Sequence, residues 1–181
     1  GIRVGAVRME KSKPRRHDET RRIKFIINPI RHASSCRRGF YLFCTHIYPP
    51  CTLTQIFDTY EEMSRAAAAF IYRCVQADPH LLICPASGNS PRMTYDLVAG
   101  QIRENGLKHA LRLIALDEWV GMSQESPHSS GYQLKAQLSG PLGIKDAFLF
   151  DGNYADEATE VRRADDFLLQ NGPIDLCILG I

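Results

Sequence analysis

Two short polar segments of the sequence contain the side chains best suited to chemistry. The first follows an apolar run at residues 81–84 and consists of Ser87, Gly88, Asn89 and Ser90. The second is the acid pair Asp117 and Glu118, which ends another apolar run at residues 111–116. The first segment offers donors for an anion, and the second offers a carboxylate that can accept a proton.

The segment at residues 87–90 has the composition of a phosphate-binding loop. Its glycine frees the backbone, its hydroxyls can donate hydrogen bonds, and the N–H groups of a following helix attract anions. Pro91 suits the first turn of that helix. The alternative is an ordinary turn in which Ser or Asn caps the helix, and the residues alone leave both open. Neither the Walker pattern nor GxGxxG is present.

The acid pair ends a predicted strand, where a partly desolvated cleft can raise a carboxyl pKa and produce a general base. Adjacent residues of a strand point to opposite sides. We therefore expect one of Asp117 and Glu118 to face a ligand and the other to orient its neighbours. The alternative is a pair of acids that only bond to backbone N–H groups at the strand end.

Strands and helices alternate from residue 53 onward, which predicts an α/β fold with a mainly parallel, three-layer sheet. Predicted strands cover residues 53–57, 81–84, 111–116, 147–150 and 174–179. Predicted helices begin at a cap at Asp58 or Thr59, at Arg92, at Ser130 and at Tyr154, and end before residue 78 and near residues 104, 138 and 170. Ligands of such sheets bind at the carboxyl ends of strands, where both polar segments would lie. The last run, at residues 174–179, is typical of a strand buried on both faces.

The composition is that of a soluble domain. The chain has 181 residues, of which 44% are hydrophobic and 23% charged, and no apolar run approaches the roughly 20 residues that span a bilayer. Six cysteines without CxxC or regular spacing indicate a reducing, cytoplasmic setting. Cys84 and Cys177 fall in predicted strands, where a free Cys behaves as a small hydrophobe. We disfavour a zinc site built from Cys36, Cys44, His46 and Cys51, because the spacing fits no usual pattern.

The first part of the chain differs in charge from the rest. Residues 1–50 hold twelve of the 22 Lys and Arg residues and three of the 20 acids, a net +9 against +2 overall. We expect residues 1–51 to be a basic extension, disordered or non-native, and residues 52–181 to form the domain. A transit peptide or a nucleic-acid-binding arm would also be basic, but no amphipathic period or recognition motif supports either.

Five stretches resemble the glucosamine-6-phosphate deaminase family, which includes galactosamine-6-phosphate isomerases and is related to 6-phosphogluconolactonases. They are residues 57–64, 86–91, 116–121, 150–153 and 174–181. The resemblance implies a Rossmann-like three-layer fold. It also implies conversion of an amino-sugar 6-phosphate to a ketose 6-phosphate with loss of ammonia.

The resemblance assigns roles to both polar segments. Asp117 matches the aspartate that takes the C2 proton and returns it to C1, with Glu118 beside it, and residues 87–90 match the phosphate cradle. The implied partner is a phosphorylated amino sugar, with no metal or redox cofactor, no membrane and no nucleic acid. A homo-oligomer is left open. Trp119 stands where lactonases of the superfamily carry Arg, which disfavours lactone hydrolysis. Many glucosamine enzymes carry Tyr at that position, so the Trp weakly favours a galactosamine substrate.

Members of that family continue past the final strand into a Gly-rich segment with the ring-opening histidine. This sequence ends before such a segment. We therefore expect a fold truncated at its C-terminal end, incomplete for catalysis, with residues 174–181 as an apolar edge. The alternatives are a non-catalytic sugar-phosphate-binding or degenerate fragment, and a 6-phosphogluconolactonase-like hydrolase.

Overall fold

The computed structural model of the chain describes residues 23–27 and 53–179. The strands are β1 (Ile23–Ile27), β2 (Leu53–Phe57), β3 (Leu82–Pro85), β4 (Arg112–Ile114), β5 (Asp146–Phe148) and β6 (Leu176–Ile178). The helices are α1 (Tyr60–Ala77), α2 (Arg92–Glu104), α3 (Ser130–Leu134), a π-helical segment (Lys135–Ser139), α4 (Gly140–Leu142) and α5 (Glu157–Asn171). The disfavoured zinc cluster lies outside the described residues.

Four strands form a parallel sheet in the order β5-β4-β3-β6. The predicted α/β fold with a mainly parallel sheet is therefore confirmed. The strands β1 and β2 form a separate antiparallel pair. The sequence pattern does not predict β1, which lies in the region interpreted as an extension. It also does not indicate that β2 lies apart from the parallel sheet.

Helices cover both faces of the parallel sheet, which makes the three predicted layers. Alternate side chains of β3 serve the two faces, since successive residues of a strand point in opposite directions. Ile83 packs with apolar side chains of α1 and α2, whereas Leu82 and Cys84 pack with those of α5. Each fully buried aliphatic side chain contributes about 1.5–3 kcal/mol to folding. These two apolar cores, one on each face of the sheet, hold the ends of the strands in position.

Helices α1, α2 and α3 begin where the sequence predicts. Thr59 caps α1, because its Oγ1 accepts a hydrogen bond from the N–H of Glu62 at 3.1 Å. The helix ends at Asp78, the residue before a proline, where the α conformation is disfavoured. Helix α2 begins at Arg92, directly after Pro91. No helix within the described part of the chain is long and apolar enough to cross a membrane.

Two predicted helix boundaries are wrong. Gly140 and Pro141 do not end the helix that starts at Ser130, because Pro141 falls in the first turn of α4, where its missing N–H is not needed. The turn stops instead at Gly143, with φ of 67°. Helix α5 starts three residues later than predicted, since Asp156 caps it by accepting from the N–H of Thr159 at 3.0 Å.

The final strand is not buried on both faces. Within the described residues, β6 pairs only with β3 and forms an edge of the sheet. Leu176 and Cys177 are half-buried, and Leu179 is exposed. In the part of the chain that the structure describes, β6 is therefore an edge strand whose Leu176 and Cys177 are only partly covered.

A close backbone contact at Gly152 joins the loops after β4 and β5. The N–H of Gly121 donates to the carbonyl of Gly152 at 2.7 Å. A Cβ atom added to Gly152 would lie 2.3 Å from the carbonyl oxygen of Trp119 and 2.5 Å from that of Met122. Both obstacles are backbone atoms, so no side-chain rotation can relieve the clash. Gly152 thereby fixes the position of the loop that follows the acid pair.

We expect Gly152→Ala to lower the free energy of unfolding by about 1–3 kcal/mol, because overpacking forces the backbone to shift. Gly100→Ala is the matched control. Gly100 lies inside α2 with no neighbour within 4 Å of an added Cβ, so alanine there should stabilise by about 0.5–1 kcal/mol. Urea denaturation of both variants measures the difference. Equal stability of the two variants would contradict the proposed close contact.

Candidate functional site

The two polar segments predicted from the sequence follow neighbouring parallel strands and lie side by side. Ser87, after β3, donates its hydroxyl hydrogen bond to Oγ of Ser130 at 3.1 Å. Ser130 in turn donates to Oδ1 of Asp117, after β4, at 3.2 Å. A single hydroxyl group therefore connects the candidate phosphate loop to the candidate base. The prediction that these segments share one edge of the sheet agrees with this geometry.

The hydroxyl groups of two tyrosines form hydrogen bonds with backbone carbonyls of the loop at residues 86–91. Tyr95 is fully buried and donates to the carbonyl of Ala86 at 2.8 Å. Burial raises the pKa of Tyr95, so its hydroxyl stays protonated as a donor. Tyr60 lies within 3.0 Å of the carbonyl of Asn89 and 2.9 Å of that of Ser90. Neither tyrosine is predicted from the sequence as part of the site, although each lies at or near the start of a predicted helix.

The conformation of the loop leaves backbone donors available. Gly88 has φ of 105°, a conformation that side-chain-bearing residues rarely adopt. Pro91 occupies the N-cap of α2, and no side chain caps that helix. Within residues 53–179, the N–H groups of Gly88, Asn89 and Ser90 donate to no protein acceptor. The alternative of a simple Ser or Asn cap is therefore not what the structure shows, and these N–H groups can receive an anion.

The carboxylate of Glu118 accepts four hydrogen bonds. Oε2 accepts from the hydroxyl of Ser129 at 2.5 Å and the N–H of Gly131 at 3.0 Å. Oε1 accepts from the N–H groups of Trp119 at 2.9 Å and Ser130 at 3.0 Å. Partial burial opposes ionisation of Glu118, but these bonds outweigh it and hold the pKa of this carboxyl below its usual range. Glu118 is thus a fixed anion at the start of α3.

Asp117 is exposed to solvent rather than enclosed in the partly desolvated cleft that the sequence suggests. Its carboxylate accepts a hydrogen bond from the hydroxyl of Ser130. The reason is that β4 ends at Ile114, three residues before Asp117, so the acid lies beyond the buried part of the strand. Its carboxylate is oriented on one side and free to meet a ligand on the other.

A shallow cavity of about 230 Å³ adjoins the acid pair. Its lining combines the end of the β4 segment with the loop after β5 and Glu160 of α5. The residues are Leu116, Asp117, Glu118, Val120, Phe150, Asp151, Gly152, Tyr154 and Glu160. The loop at residues 87–90 does not line it. Asp117 therefore lines the cavity and is also connected to the loop through Ser130.

The described residues contain no group of three or more His, Cys, Asp or Glu side chains arranged to hold a metal ion. The carboxylates of Glu118 and Glu160, near Asp117, accept hydrogen bonds from backbone N–H groups instead. Glu118 holds the start of α3, and Glu160 accepts from the N–H of Asp151 at 2.8 Å and pairs with Arg163.

Comparison with known proteins identifies relatives that match about two thirds of the chain. A glucosamine-6-phosphate deaminase of Halalkalibacterium halodurans is 32% identical over 125 residues, which cover 67% of this chain and 51% of that protein. One of Streptomyces coelicolor is 36% identical over 106 residues, covering 57% of this chain and 41% of that protein. A solved structure of a monomeric glucosamine-6-phosphate deaminase superposes with a TM-score of 0.63 at 27% identity, covering 68% of this chain and 52% of that one. No model of a protein family matches the chain.

The resemblance to this family, indicated by the five sequence stretches, is therefore confirmed in sequence and in structure. The chain spans about half the length of the curated relatives it matches. The chain therefore belongs to this family, and it shares the family's fold over that half of the relatives' length.

We expect Glu118→Gln to destabilise the fold by about 1–3 kcal/mol, because an amide cannot replace a carboxylate that accepts four hydrogen bonds. The pKa of Glu118 is lowered in the folded state, so its stabilisation is present above the usual value of about 4.5 and is lost as the pH falls below it. Urea midpoints of wild type and variant should therefore converge in acid. Glu125→Gln, an exposed acid of the same loop, is the control. A gap that does not change between pH 7 and pH 3 would contradict this account.

Proposed function

We propose that this chain carries the phosphate loop and the enolising base of an amino-sugar-6-phosphate deaminase or isomerase. The observation that carries the proposal is the connection from Ser87 through Ser130 to Asp117, with distances of 3.1 Å and 3.2 Å. It brings an anion-binding segment and a carboxylate within the length of one hexose phosphate. The family of the relatives supports the same chemistry.

In this proposal, the phosphate of the substrate lies at residues 87–90. The N–H groups of Gly88, Asn89 and Ser90 donate to its oxygens, and the start of α2 contributes its dipole. The hydroxyls of Ser87 and Ser90 add further donors. The two tyrosines keep the loop rigid, so that little conformational entropy is lost on binding.

The sugar then extends from the loop toward Asp117. The carboxylate removes the proton from C2 of the open-chain amino sugar, which gives an enolic intermediate, and returns it to C1. The resulting imine takes up water and releases ammonia, leaving the ketose phosphate. The bond from Ser130 keeps one oxygen of Asp117 oriented and leaves the other to take the proton.

Glu118 acts in this proposal as a positioning residue rather than as a second base. All four of its hydrogen bonds go to residues 119 and 129–131. Its charge places the hydroxyl of Ser130 between Ser87 and Asp117. No metal or redox cofactor takes part, and the proposed setting is the cytoplasm.

The second candidate is a sugar-phosphate-binding protein without catalysis. The exposure of Asp117 favours it, because a general base acts best where water is excluded. Both candidates need the loop, and only the first needs Asp117.

In an enzyme of full family length that carries this segment, we expect Asp117→Asn to reduce ammonia release from glucosamine 6-phosphate or galactosamine 6-phosphate by about 10²–10⁴-fold, the usual contribution of one general base. Binding of the sugar phosphate should be largely retained, because the phosphate donors are unchanged. Coupled ammonia detection and calorimetric titration measure the two quantities. Asp146→Asn, at the other end of the sheet, is the control. Undiminished turnover in Asp117→Asn would refute the assigned base, and binding without turnover in a wild-type enzyme of full family length would favour the second candidate.

We expect Ser87→Ala and Ser90→Ala each to weaken binding of the sugar phosphate by about 10-fold, since each removes a donor to a charged group. The same titrations with unphosphorylated glucosamine provide the ligand control. Its affinity should be weak and equal in wild type and variants. If both ligands lose affinity in parallel, the loop contacts the sugar rather than the phosphate.

A further inference from the structure

The candidate phosphate loop is held by its carbonyl groups, through two tyrosine hydroxyls that come from different helices. Tyr95 of α2 is fully buried and donates to the carbonyl of Ala86 at 2.8 Å. Tyr60 is the first residue of α1, and its hydroxyl oxygen lies 3.0 Å from the carbonyl oxygen of Asn89 and 2.9 Å from that of Ser90. These two carbonyls share the single hydrogen of the Tyr60 hydroxyl. Three carbonyls of the loop are therefore directed at tyrosines.

The planarity of the peptide bond turns these contacts into directions for N–H groups. In a trans peptide, the C=O of one residue and the N–H of the next point in opposite directions, and the described residues contain no cis peptide bond. The carbonyl of Ala86 shares its peptide with the N–H of Ser87. The carbonyl of Asn89 shares its peptide with the N–H of Ser90. Both N–H groups therefore point away from the tyrosine hydroxyls that hold their peptides.

These two N–H groups are available to a ligand. Within residues 53–179, the N–H groups of Ser87 and Ser90 donate to no protein acceptor. The chain turns between them at Gly88, whose φ of 105° suits glycine. The N–H of Ser87 therefore joins those of residues 88–90 as a donor for an anion.

Tyr60 also provides the cap that α2 lacks. Pro91 at the N-cap position makes no side-chain hydrogen bond to the helix. The N–H of Met93, in the first turn of α2, instead donates a long hydrogen bond of 3.4 Å to the hydroxyl oxygen of Tyr60. One of the N–H groups that attract anions at a helix start is thus already occupied. An anion is directed to the loop rather than to that side of the helix.

We propose that Tyr60 and Tyr95 are positioning residues for phosphate, each of which holds one peptide of the loop so that its N–H group faces the anion. The inference rests on the proposed phosphate loop and adds the residues that orient its donors. Without the hydroxyl of Tyr60, the peptide between Asn89 and Ser90 is free to rotate. Rotation would bring the partly negative carbonyl oxygen toward the phosphate in place of the N–H.

The test follows the amide signals of the full, ¹⁵N-labelled 181-residue chain during titration with inorganic phosphate. In the wild-type chain, we expect the amide signals of Ser87 and Ser90 both to shift. In Tyr60→Phe, the shift of Ser90 should be lost while that of Ser87 is retained. The affinity for phosphate should fall by about 10-fold, as expected for loss of one hydrogen bond to a charged group. Tyr95→Phe should show the reverse pattern.

Tyr72→Phe is the matched control. Tyr72 is a half-buried tyrosine of the same helix as Tyr60, but it lies twelve residues further along, about 18 Å at 1.5 Å per residue. Its variant should bind phosphate as the wild-type chain does, with both amide shifts intact. A hydroxyl that only stabilises the fold would, when removed, weaken both shifts together rather than one of them.

Two outcomes would overturn the positioning role and leave the phosphate loop standing. One is a Tyr60→Phe chain that binds phosphate with unchanged affinity and an unchanged shift of Ser90. The other is parallel weakening of the Ser87 and Ser90 shifts in that variant. If Tyr95→Phe does not fold, Tyr60→Phe decides alone. A wild-type chain in which no loop amide responds to phosphate would instead refute the proposed phosphate loop, and this inference with it.

Discussion

The carboxylate of Glu118 is the interaction on which the candidate site depends. It receives four hydrogen bonds and lies at the positive end of a helix, where each bond to a charged acceptor contributes about 1.5–3 kcal/mol. These bonds draw the start of α3 against the end of β4. Ser130 is thereby placed between the two polar segments, although it belongs to neither. Without this anchor, the loop after β3 and the acid after β4 would be neighbours with no defined geometry between them.

The parallel sheet supplies the second constraint. Because β3 and β4 are neighbours and run in the same direction, whatever follows them must meet at one edge. The sequence already predicts that the two polar segments share this edge. Apolar runs of the right length mark the strands, Thr59 and Pro91 mark helix starts, and polar residues follow the strand ends. For these features the local chemistry of the chain and its tertiary structure agree.

Other features of the site depend on contacts that no local pattern encodes. The sequence shows two adjacent acids but not that Glu118 would bind a helix start while Asp117 stayed exposed. The sequence marks Ser130 only as a helix start and does not single out Ser129. The folded chain makes Ser129 the cap of that helix and places the hydroxyl of Ser130 between Ser87 and Asp117.

The central claim is that one bound sugar phosphate contacts both polar segments at once. The most direct measurement is a titration of the ¹⁵N-labelled chain with glucosamine 6-phosphate, followed by amide chemical shifts. We expect the amide signals of Gly88, Asn89 and Ser90 to shift together with those of Asp117 and Ser130, along a single binding curve. Inorganic phosphate should shift only the signals of the loop amides. Shifts confined to other parts of the sheet, or a loop that responds while residues 117 and 130 do not move with either ligand, would contradict it.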